Sequence, residues 1–158
     1  MTSGEFAAQV ALRMRERDLA EVVATSRLQT REQWAEQIGQ VVDSTPDSQQ
    51  VVGGFMHQGK PTAVFGAIEH WPGVWAAWMV GTDDWPKVAL AATRRIRKVC
   101  LPQVWRKGAH RIQAHSAAEY DTAHQWLVHL GAKEEAVLRG FGRNSEDFKV
   151  FVWRRDDV

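Results

Sequence analysis

The stretch from Gly73 to Lys107 reads GVWAAWMV, GTDDWPK and VALAATRRIRKVCLPQVWRK: an apolar run, a polar turn and a basic amphipathic segment. Both alternating faces of the run are apolar, which predicts a central strand covered on both sides. Pro86 suits the first position of a helix, because its missing N–H would be unpaired there anyway. Apolar residues then recur at helical spacing, at Val88, Ala92, Ile96 and Val99. The stretch therefore predicts a strand that enters a helix through a tight turn, a junction whose free N–H groups can hold an anion.

The composition indicates one globular core. The chain has 158 residues, of which 44% are hydrophobic, and residues 1–158 are expected to form a single domain. A net charge of +1 gives no reason to expect a nucleic-acid or membrane partner. No apolar run approaches the roughly 18 residues of a membrane helix, no signal-peptide pattern is present, and the single Cys100 cannot form an internal disulfide. We therefore expect a soluble, cytoplasmic protein.

The N-terminal part of the chain predicts a strand, two helices and a β-hairpin. Residues Val10 to Met14 alternate as a short strand would, and DLAEVVATS then predicts a helix. Thr30 and Gln33 form a capping-box pattern that starts a second helix. Two apolar runs flank Gln58 to Lys60, which predicts a hairpin ahead of the central strand.

The part after the central strand predicts a long helix, a strand, a helix and two strands. Pro102 predicts a kink or an early end of the long helix near Cys100, and Gly108 ends it. HRIQAHS predicts the next strand, and Tyr120 to Leu130 predicts a helix that Gly131 ends in the left-handed conformation. The segments EEAVLRGFG and EDFKVFVWRR predict the two final strands.

This order of elements, with a tight strand-to-helix turn at its centre, resembles the GNAT acetyltransferase fold. The best local match is AEYDTAHQWLVHLGAKEEAVLRGFGRNSEDFKVFVWRR, and LRMRERDLAEVV is similar to the family's opening strand and helix. The resemblance implies an α/β (α+β) fold: a mixed, mainly antiparallel sheet of about seven strands flanked by about four helices. The segments VGTDDW, TRRIRK and WLVHLGA also resemble, more faintly, GNAT-like internal proteins of short-tailed bacteriophages.

The resemblance implies an acetyl-CoA cofactor, but the central turn departs from the family's pattern. Active members carry a Gln/Arg-x-x-Gly-x-Gly/Ala loop whose backbone amides hold the coenzyme A diphosphate, and here the turn reads GTDDWP. Asp83 and Asp84 would oppose phosphate by about 0.3 to 1 kcal/mol each, and Pro86 removes one donor. Either aspartate could equally cap the helix, a role that needs no ligand.

The resemblance also implies positions for the cofactor. Met79 and Val80 would offer backbone groups to the pantetheine arm. The N–H groups of Lys87, Val88 and Ala89 would face the diphosphate.

The family's usual general acid, a tyrosine in the helix after the fifth strand, is absent, because Leu127 stands at that position. Tyr120 is the candidate substitute for the acid, and His115 or His124 could reach the same cleft. Glu69, at the end of a strand, is the candidate base that accepts a proton from an amine if burial holds its pKa near neutral. A carboxylate at a strand end is also often only a solvated edge residue.

The sequence gives little support for metal-dependent or cysteine-based chemistry. The six histidines and one cysteine show no metal-ligand spacing, so no metal site is expected. Cys100 lies on the apolar stripe of the long helix, which predicts a buried and unreactive thiol. A basic cluster could neutralise a coenzyme 3′-phosphate, contact nucleic acid or simply solvate a helix face. It comprises Arg94, Arg95, Arg97, Lys98, Arg106, Lys107 and Arg111.

Two functions follow as hypotheses. The first is a GNAT-like N-acetyltransferase with a degenerate cofactor loop, which transfers an acyl group from acetyl-CoA to an amine of a small molecule or a protein. The alternative is a catalytically inactive GNAT-fold bacteriophage or virion-associated protein, found in the host cytoplasm or the virion. It would bind a phage or host protein through its basic face and Trp71, Trp75 or Trp85.

Overall fold

The computed structural model describes residues 1–157, and the chain begins with three helices. They are α1 (Ser3–Leu12), α2 (Glu16–Ala24) and α3 (Arg31–Ser44). Complete capping boxes start α1 and α3, and the second of these is the predicted one between Thr30 and Gln33. A side chain at Gly4 would lie 2.3 Å from the backbone oxygen of Gly39, so α1 and α3 cross in close contact through these two glycines.

The predicted strand from Val10 to Met14 is wrong. Residues up to Leu12 are helical, because the capping box at Thr2 starts a helix whose small and apolar residues pack against α3. The alternation that suggested a strand is the end of this helical stripe. Only Met14 pairs as a strand would, in a single antiparallel bridge with Thr82.

One six-stranded sheet forms the centre of the fold. Its strands are β1 (Gln50–His57), β2 (Lys60–Trp71), β3 (Val74–Gly81), β4 (Arg111–Ala117), β5 (Lys133–Leu138) and β6 (Phe148–Arg154), in the order β1-β2-β3-β4-β6-β5. Only the β3–β4 pair is parallel. The predicted hairpin joins β1 to β2, and Gln58 and Gly59 both take the positive φ that a two-residue hairpin turn requires. The mixed, mainly antiparallel sheet confirms the predicted fold class.

The long helix after β3 contains an irregular turn. It runs through α4 (Trp85–Arg95), a π-helical turn (Ile96–Cys100) and α5 (Leu101–Arg106). Leu101 donates its N–H to the carbonyl of Ile96, five residues back. An α-helix would press the Pro102 ring against the carbonyl four residues earlier, and the wider π turn just before it relieves that clash. The predicted irregularity near Cys100 is therefore present, without an early end.

The last helix and the two faces of the sheet complete the fold. Helix α6 (Asp121–His129) ends at Gly131, which has the predicted left-handed φ of 100°. One face of the sheet packs against α4, α5 and α6 around Trp75, and the other packs against α1, α3 and part of α2 around Val80. None of the helices within residues 1–157 combines the length and apolarity that a membrane span needs.

Candidate functional site

The two central strands part halfway along their length. The parallel ladder between β3 and β4 consists of three pairs and ends where Ala76 lies opposite Gln113. Beyond that point β3 stays paired with β2 as far as Gly81, and β4 stays paired with β6 as far as Ala117. The facing backbone edges of β3 and β4 therefore lack strand partners over the second half of each strand, as a wedge-shaped gap requires.

A cavity of about 160 Å³ fills this gap and passes through the sheet. On one face it meets α2, and on the other it meets the π turn, α5 and α6. Pockets for drug-sized ligands have volumes of about 300–1,000 Å³. This cavity is therefore large enough for one end of a ligand and too small for a whole nucleotide. Its apolar wall includes Ala77, Met79, Cys100, Ala114, Trp126 and Leu127.

Polar groups line the α2 end of the cavity, and Asp18 ties this end together. Its carboxylate accepts hydrogen bonds from the Arg15 guanidinium at 3.0 Å and from the Gly81 N–H at 2.8 Å. Arg15 also donates its backbone N–H to the carbonyl of Gly81. Burial raises the pKa of Asp18, and the charge of Arg15 opposes that rise. Asp18 and Arg15 thus fix α2 to the end of β3.

Glu21 lies one helical turn further along α2, on the β4 side of the gap. Its Oε1 accepts a 2.6 Å hydrogen bond from the backbone N–H of Ala117, at the end of β4. Burial raises the pKa of the Glu21 carboxyl, and the neighbouring Asp18 carboxylate raises it further. Within residues 1–157, no lysine, arginine or histidine forms an ion pair with Glu21. The structure therefore holds, at the mouth of the gap, a half-buried carboxyl that has no ion-pair partner among the described residues.

A second cavity, of about 370 Å³, reaches Glu21 from the outside. It lies between α2, the segment that joins β4 to α6, and the start of β6. Its floor is made of small and aromatic side chains, and it has further carboxylates at Glu119, Glu146 and Asp147. Glu21 lines both this cavity and the one in the gap. It therefore stands between the gap and the protein surface.

The turn that joins β3 to α4 satisfies most of its own backbone N–H groups. Thr82 donates to the Thr62 carbonyl, Asp84 to the Thr82 hydroxyl, Trp85 to the Thr82 carbonyl, and Lys87 to the Asp84 carbonyl. Asp84 stands at the predicted cap position, but its carboxylate accepts no hydrogen bond from the helix. Because Pro86 has no N–H, this helix start offers few free donors to an anion.

An aromatic contact bridges α4 and α6 beside this turn. The Trp85 and Trp126 rings meet edge to face, with their centroids 5.4 Å apart. Trp126 also donates its indole N–H to the Thr93 hydroxyl at 2.9 Å. Side chains therefore fill space between α4 and the second half of α6.

The cofactor residues predicted from the sequence occupy different positions around the gap. Met79 lines the cavity, whereas Val80 is 3% exposed and packs with α1 and α3. The Lys87 N–H is bonded within the turn, and the Val88 side chain is buried. Ala89 gives its carbonyl to the Thr93 hydroxyl.

The predicted acid and base lie apart from each other. Glu69 is opposite Trp75 in the β2–β3 ladder, at the end of β3 where β4 is still paired, and is not among the residues that line the gap. Tyr120 lines the second cavity, its ring lies under the Arg17 guanidinium, and burial raises the pKa of its phenol.

Of the two alternative histidines, one lines the gap and the other is buried. His115 lines the gap and stacks on Phe141, and burial lowers its pKa. His124 is 8% exposed and its Nε2 lies 3.0 Å from the Ala117 carbonyl.

Sequence reasoning missed the α2 residues of this site. Arg15, Asp18 and Glu21 look like the polar face of an ordinary amphipathic helix. Glu21 and the Ala117 N–H that it binds are 96 residues apart. A helical-wheel projection of α2 places Asp18 and Glu21 on the same face as the apolar Val22. This was the one signal in the sequence that these two carboxylates face the interior.

No model of a known protein family matches the chain, and no curated protein matches it. Solved structures do match over nearly its whole length. A RimL ribosomal L7/L12 alpha-N-protein acetyltransferase in complex with coenzyme A is similar with a TM-score of 0.71 at 7% identity, covering 100% of this chain and 93% of that one. A ribosomal-protein-S5-alanine acetyltransferase from Vibrio fischeri gives 0.68 at 15% identity, covering 99% and 91%.

A third structure, a GNAT-family acetyltransferase from Bacillus anthracis, gives a TM-score of 0.62 at 10% identity and covers 98% of this chain and 90% of its own. At such identities the likeness concerns the path of the backbone and not the side chains of the site. The parted strands, the helix that follows the central strand, and these three comparisons agree. The chain has the fold of the GNAT acetyltransferases.

Proposed function

We propose that this protein is an N-acyltransferase that takes an acyl group from a thioester, with acetyl-CoA as the donor, and passes it to an amine. The observation that carries the proposal is the cavity through the sheet where β3 and β4 part. A cavity of this size and apolar character suits an acyl thioester, and its lining comes from elements on both faces of the sheet, as entry of donor and acceptor from opposite sides requires.

The unpaired edges of the gap would hold the donor's arm. Backbone N–H and C=O groups that lack a strand partner favour an extended chain with amides of its own, such as pantetheine. On β3 these edge groups include those of Met79, one of the two residues that the sequence predicts for this role. Successive residues of a strand point their backbone groups to opposite sides, so those of Val80, the other predicted residue, face β2. The apolar wall around Met79 and Cys100 would then surround the sulfur.

The diphosphate end of the donor fits less well. The N–H groups of the turn are largely bonded within it, and Asp83 and Asp84 place two carboxylates where phosphate would lie. Lys87, Val88 and Ala89 remain the residues that we propose lie nearest to the diphosphate. We therefore expect acetyl-CoA to bind mainly through its pantetheine arm, and weakly.

Bound acetyl-CoA would supply an activated acyl carbon, and the chain's own residues would orient the amine and receive its proton. On sequence grounds Glu69 is a candidate proton acceptor, and Tyr120 is the candidate acid that protonates the leaving sulfur. Both assignments remain proposals. A cytoplasmic location for the reaction is likewise a proposal, taken from the sequence.

A GNAT-fold binding protein without chemistry is the second candidate. The internally bonded turn favours it, because such a turn has lost the donors that hold a diphosphate. The predicted virion association and phage or host partner belong to this candidate, and they remain predictions.

Calorimetric titration with acetyl-CoA tests the proposal and separates the two candidates. We expect measurable heat of binding for the native chain and at least tenfold weaker binding for Met79→Trp, whose larger ring would fill the gap. Met56→Trp is the matched control, since Met56 is 52% exposed on β1 and lies outside the gap. An absence of binding at millimolar acetyl-CoA would contradict the acyltransferase and favour the binding protein.

A further inference from the structure

We propose that Glu21 is the group that takes the proton from the acceptor amine as it attacks the thioester. This inference rests on the proposed acyltransferase function and assigns the base to a residue of α2. It replaces Glu69 in that role, because Glu69 lies opposite Trp75 where β3 and β4 are still paired.

The first support is position. Glu21 lines the cavity in the gap, where the thioester would lie. It also lines the second cavity, called the outer cavity below, which lies beside α2. An amine that enters by the outer cavity therefore passes Glu21 before it reaches the gap. The further carboxylates of the outer cavity, at Glu119, Glu146 and Asp147, make this approach favourable for a positively charged amine.

The second support is orientation. The Ala117 N–H binds Oε1 of Glu21 at 2.6 Å and so fixes the carboxyl against the end of β4. A carboxylate has about four lone-pair positions, so the hydrogen bonds from the Ala117 N–H and the Ser116 hydroxyl leave capacity for a proton. A base must be held within hydrogen-bond reach of its substrate, and this contact with the backbone provides the rigidity.

The third support is the electrostatic surroundings. Burial raises the pKa of Glu21, which brings the carboxyl nearer to the working pH of a general base. The Asp18 carboxylate raises it too, whereas the Ala117 N–H, the Ser116 hydroxyl and the Arg17 guanidinium oppose the rise. The other titratable or charged groups that line the same two cavities are Arg15, Cys100, His115, Glu119, Tyr120, Glu146 and Asp147.

The step balances with the thioester as the only co-reactant. An amine that arrives as an ammonium ion first gives one proton to water. The lone pair of the neutral amine then forms the C–N bond, and the C–S bond breaks with its electron pair going to sulfur. The proton leaves nitrogen for the Glu21 carboxylate, which later releases it to water. The thiolate takes up one proton from the Tyr120 phenol, the acid proposed above, and water restores the proton of Tyr120, so the products are an amide and a free thiol.

The test compares three variants of the full chain, Glu21→Gln, Glu69→Gln and Glu36→Gln. Each is assayed with acetyl-CoA and three primary amines: Nα-acetyl-lysine amide, spermidine and tyramine. We expect Glu21→Gln to lower kcat by roughly 10²- to 10⁴-fold, the usual contribution of a general base, and to lose the acidic limb of the pH profile. Its affinity for acetyl-CoA should stay unchanged. Glu36 is an exposed α3 residue, and Glu36→Gln should match the native chain.

A second measurement needs no cofactor. Carboxyl ¹³C NMR of the glutamate-labelled protein should show one signal that titrates above the ordinary glutamate range and disappears in Glu21→Gln. Native-like kcat and pH profile in Glu21→Gln, or a loss confined to Glu69→Gln, would overturn the assignment, as would an ordinary titration of Glu21. If the native chain neither binds acetyl-CoA nor turns over any amine, the acyltransferase proposal fails, and the role of Glu21 fails with it.

Discussion

At the scale of single residues, Glu21 combines features that do not favour stability. Its half-buried carboxyl has no ion-pair partner among the described residues. The Ala117 N–H, the Ser116 hydroxyl and the Arg17 guanidinium offset only part of its desolvation cost, since its pKa stays raised. Such groups are found where function requires them, because perturbed titration concentrates at functional sites. Asp18, on the same helix, differs in that the Arg15 guanidinium compensates its charge.

Replacement of Glu21 should therefore stabilise the protein at neutral and basic pH. Its folded-state pKa is raised above the ordinary value of 4.5, so its contribution to stability is complete below that value and is lost as the pH rises through the raised pKa. Glutamine keeps an oxygen for the Ala117 N–H and carries no charge. In thermal melts at about pH 8 we expect Glu21→Gln to raise Tm by roughly 2–4 °C, and the difference should vanish near pH 4.

Glu36→Gln is the control for this melt, and we expect its Tm to follow the native chain at both pH values. A lower Tm for Glu21→Gln at the basic pH would mean that the ionised carboxyl stabilises the fold. That outcome would contradict the electrostatic description of the site.

At the scale of elements, the turn between β3 and α4 determines how a phosphate-bearing donor is received. Its N–H groups are bonded to Thr62, Thr82 and Asp84, and its two adjacent carboxylates add negative charge. Asp84 makes no side-chain cap bond, so its replacement by glycine should cost the helix only a few tenths of a kcal/mol.

Asp83→Gly/Asp84→Gly should therefore bind acetyl-CoA more tightly. Removing two like-charge contacts of about 0.3–1 kcal/mol each predicts a roughly three- to thirty-fold gain in affinity at low salt. Titration at low and high ionic strength checks this, because salt should shrink the gain. Affinity that is unchanged at low salt would show that the carboxylates do not oppose the donor.

The elements also show where sequence patterns succeed and fail. The hairpin at Gln58 and the end of α6 at Gly131 follow from local turn chemistry, and both were predictable. The strand predicted at Val10–Met14 was wrong because an alternation over five residues also fits the end of a helix. The capping box at Thr2, which starts that helix, was the signal that should have prevailed.

At the scale of the whole molecule, the order of the elements was enough to suggest the fold, because a central two-faced strand followed by a helix restricts the topology. The site was harder to predict. It depends on where the β3–β4 ladder stops and on which residues of α2 cover the gap, and both are set by packing between segments far apart in sequence. Met79 was predicted at the gap, whereas Glu21 became visible only in three dimensions.

The central claim is that the gap between β3 and β4 receives the thioester, and Cys100 offers the most direct test. It is the single cysteine of the chain, it lines the gap, and burial raises the pKa of its thiol, so alkylation should be slow but measurable by mass spectrometry. We predict that saturating acetyl-CoA slows iodoacetamide labelling of Cys100 at least fivefold, and that adenosine 3′,5′-bisphosphate, which lacks the pantetheine arm, does not. Equal labelling rates with and without acetyl-CoA would contradict the claim.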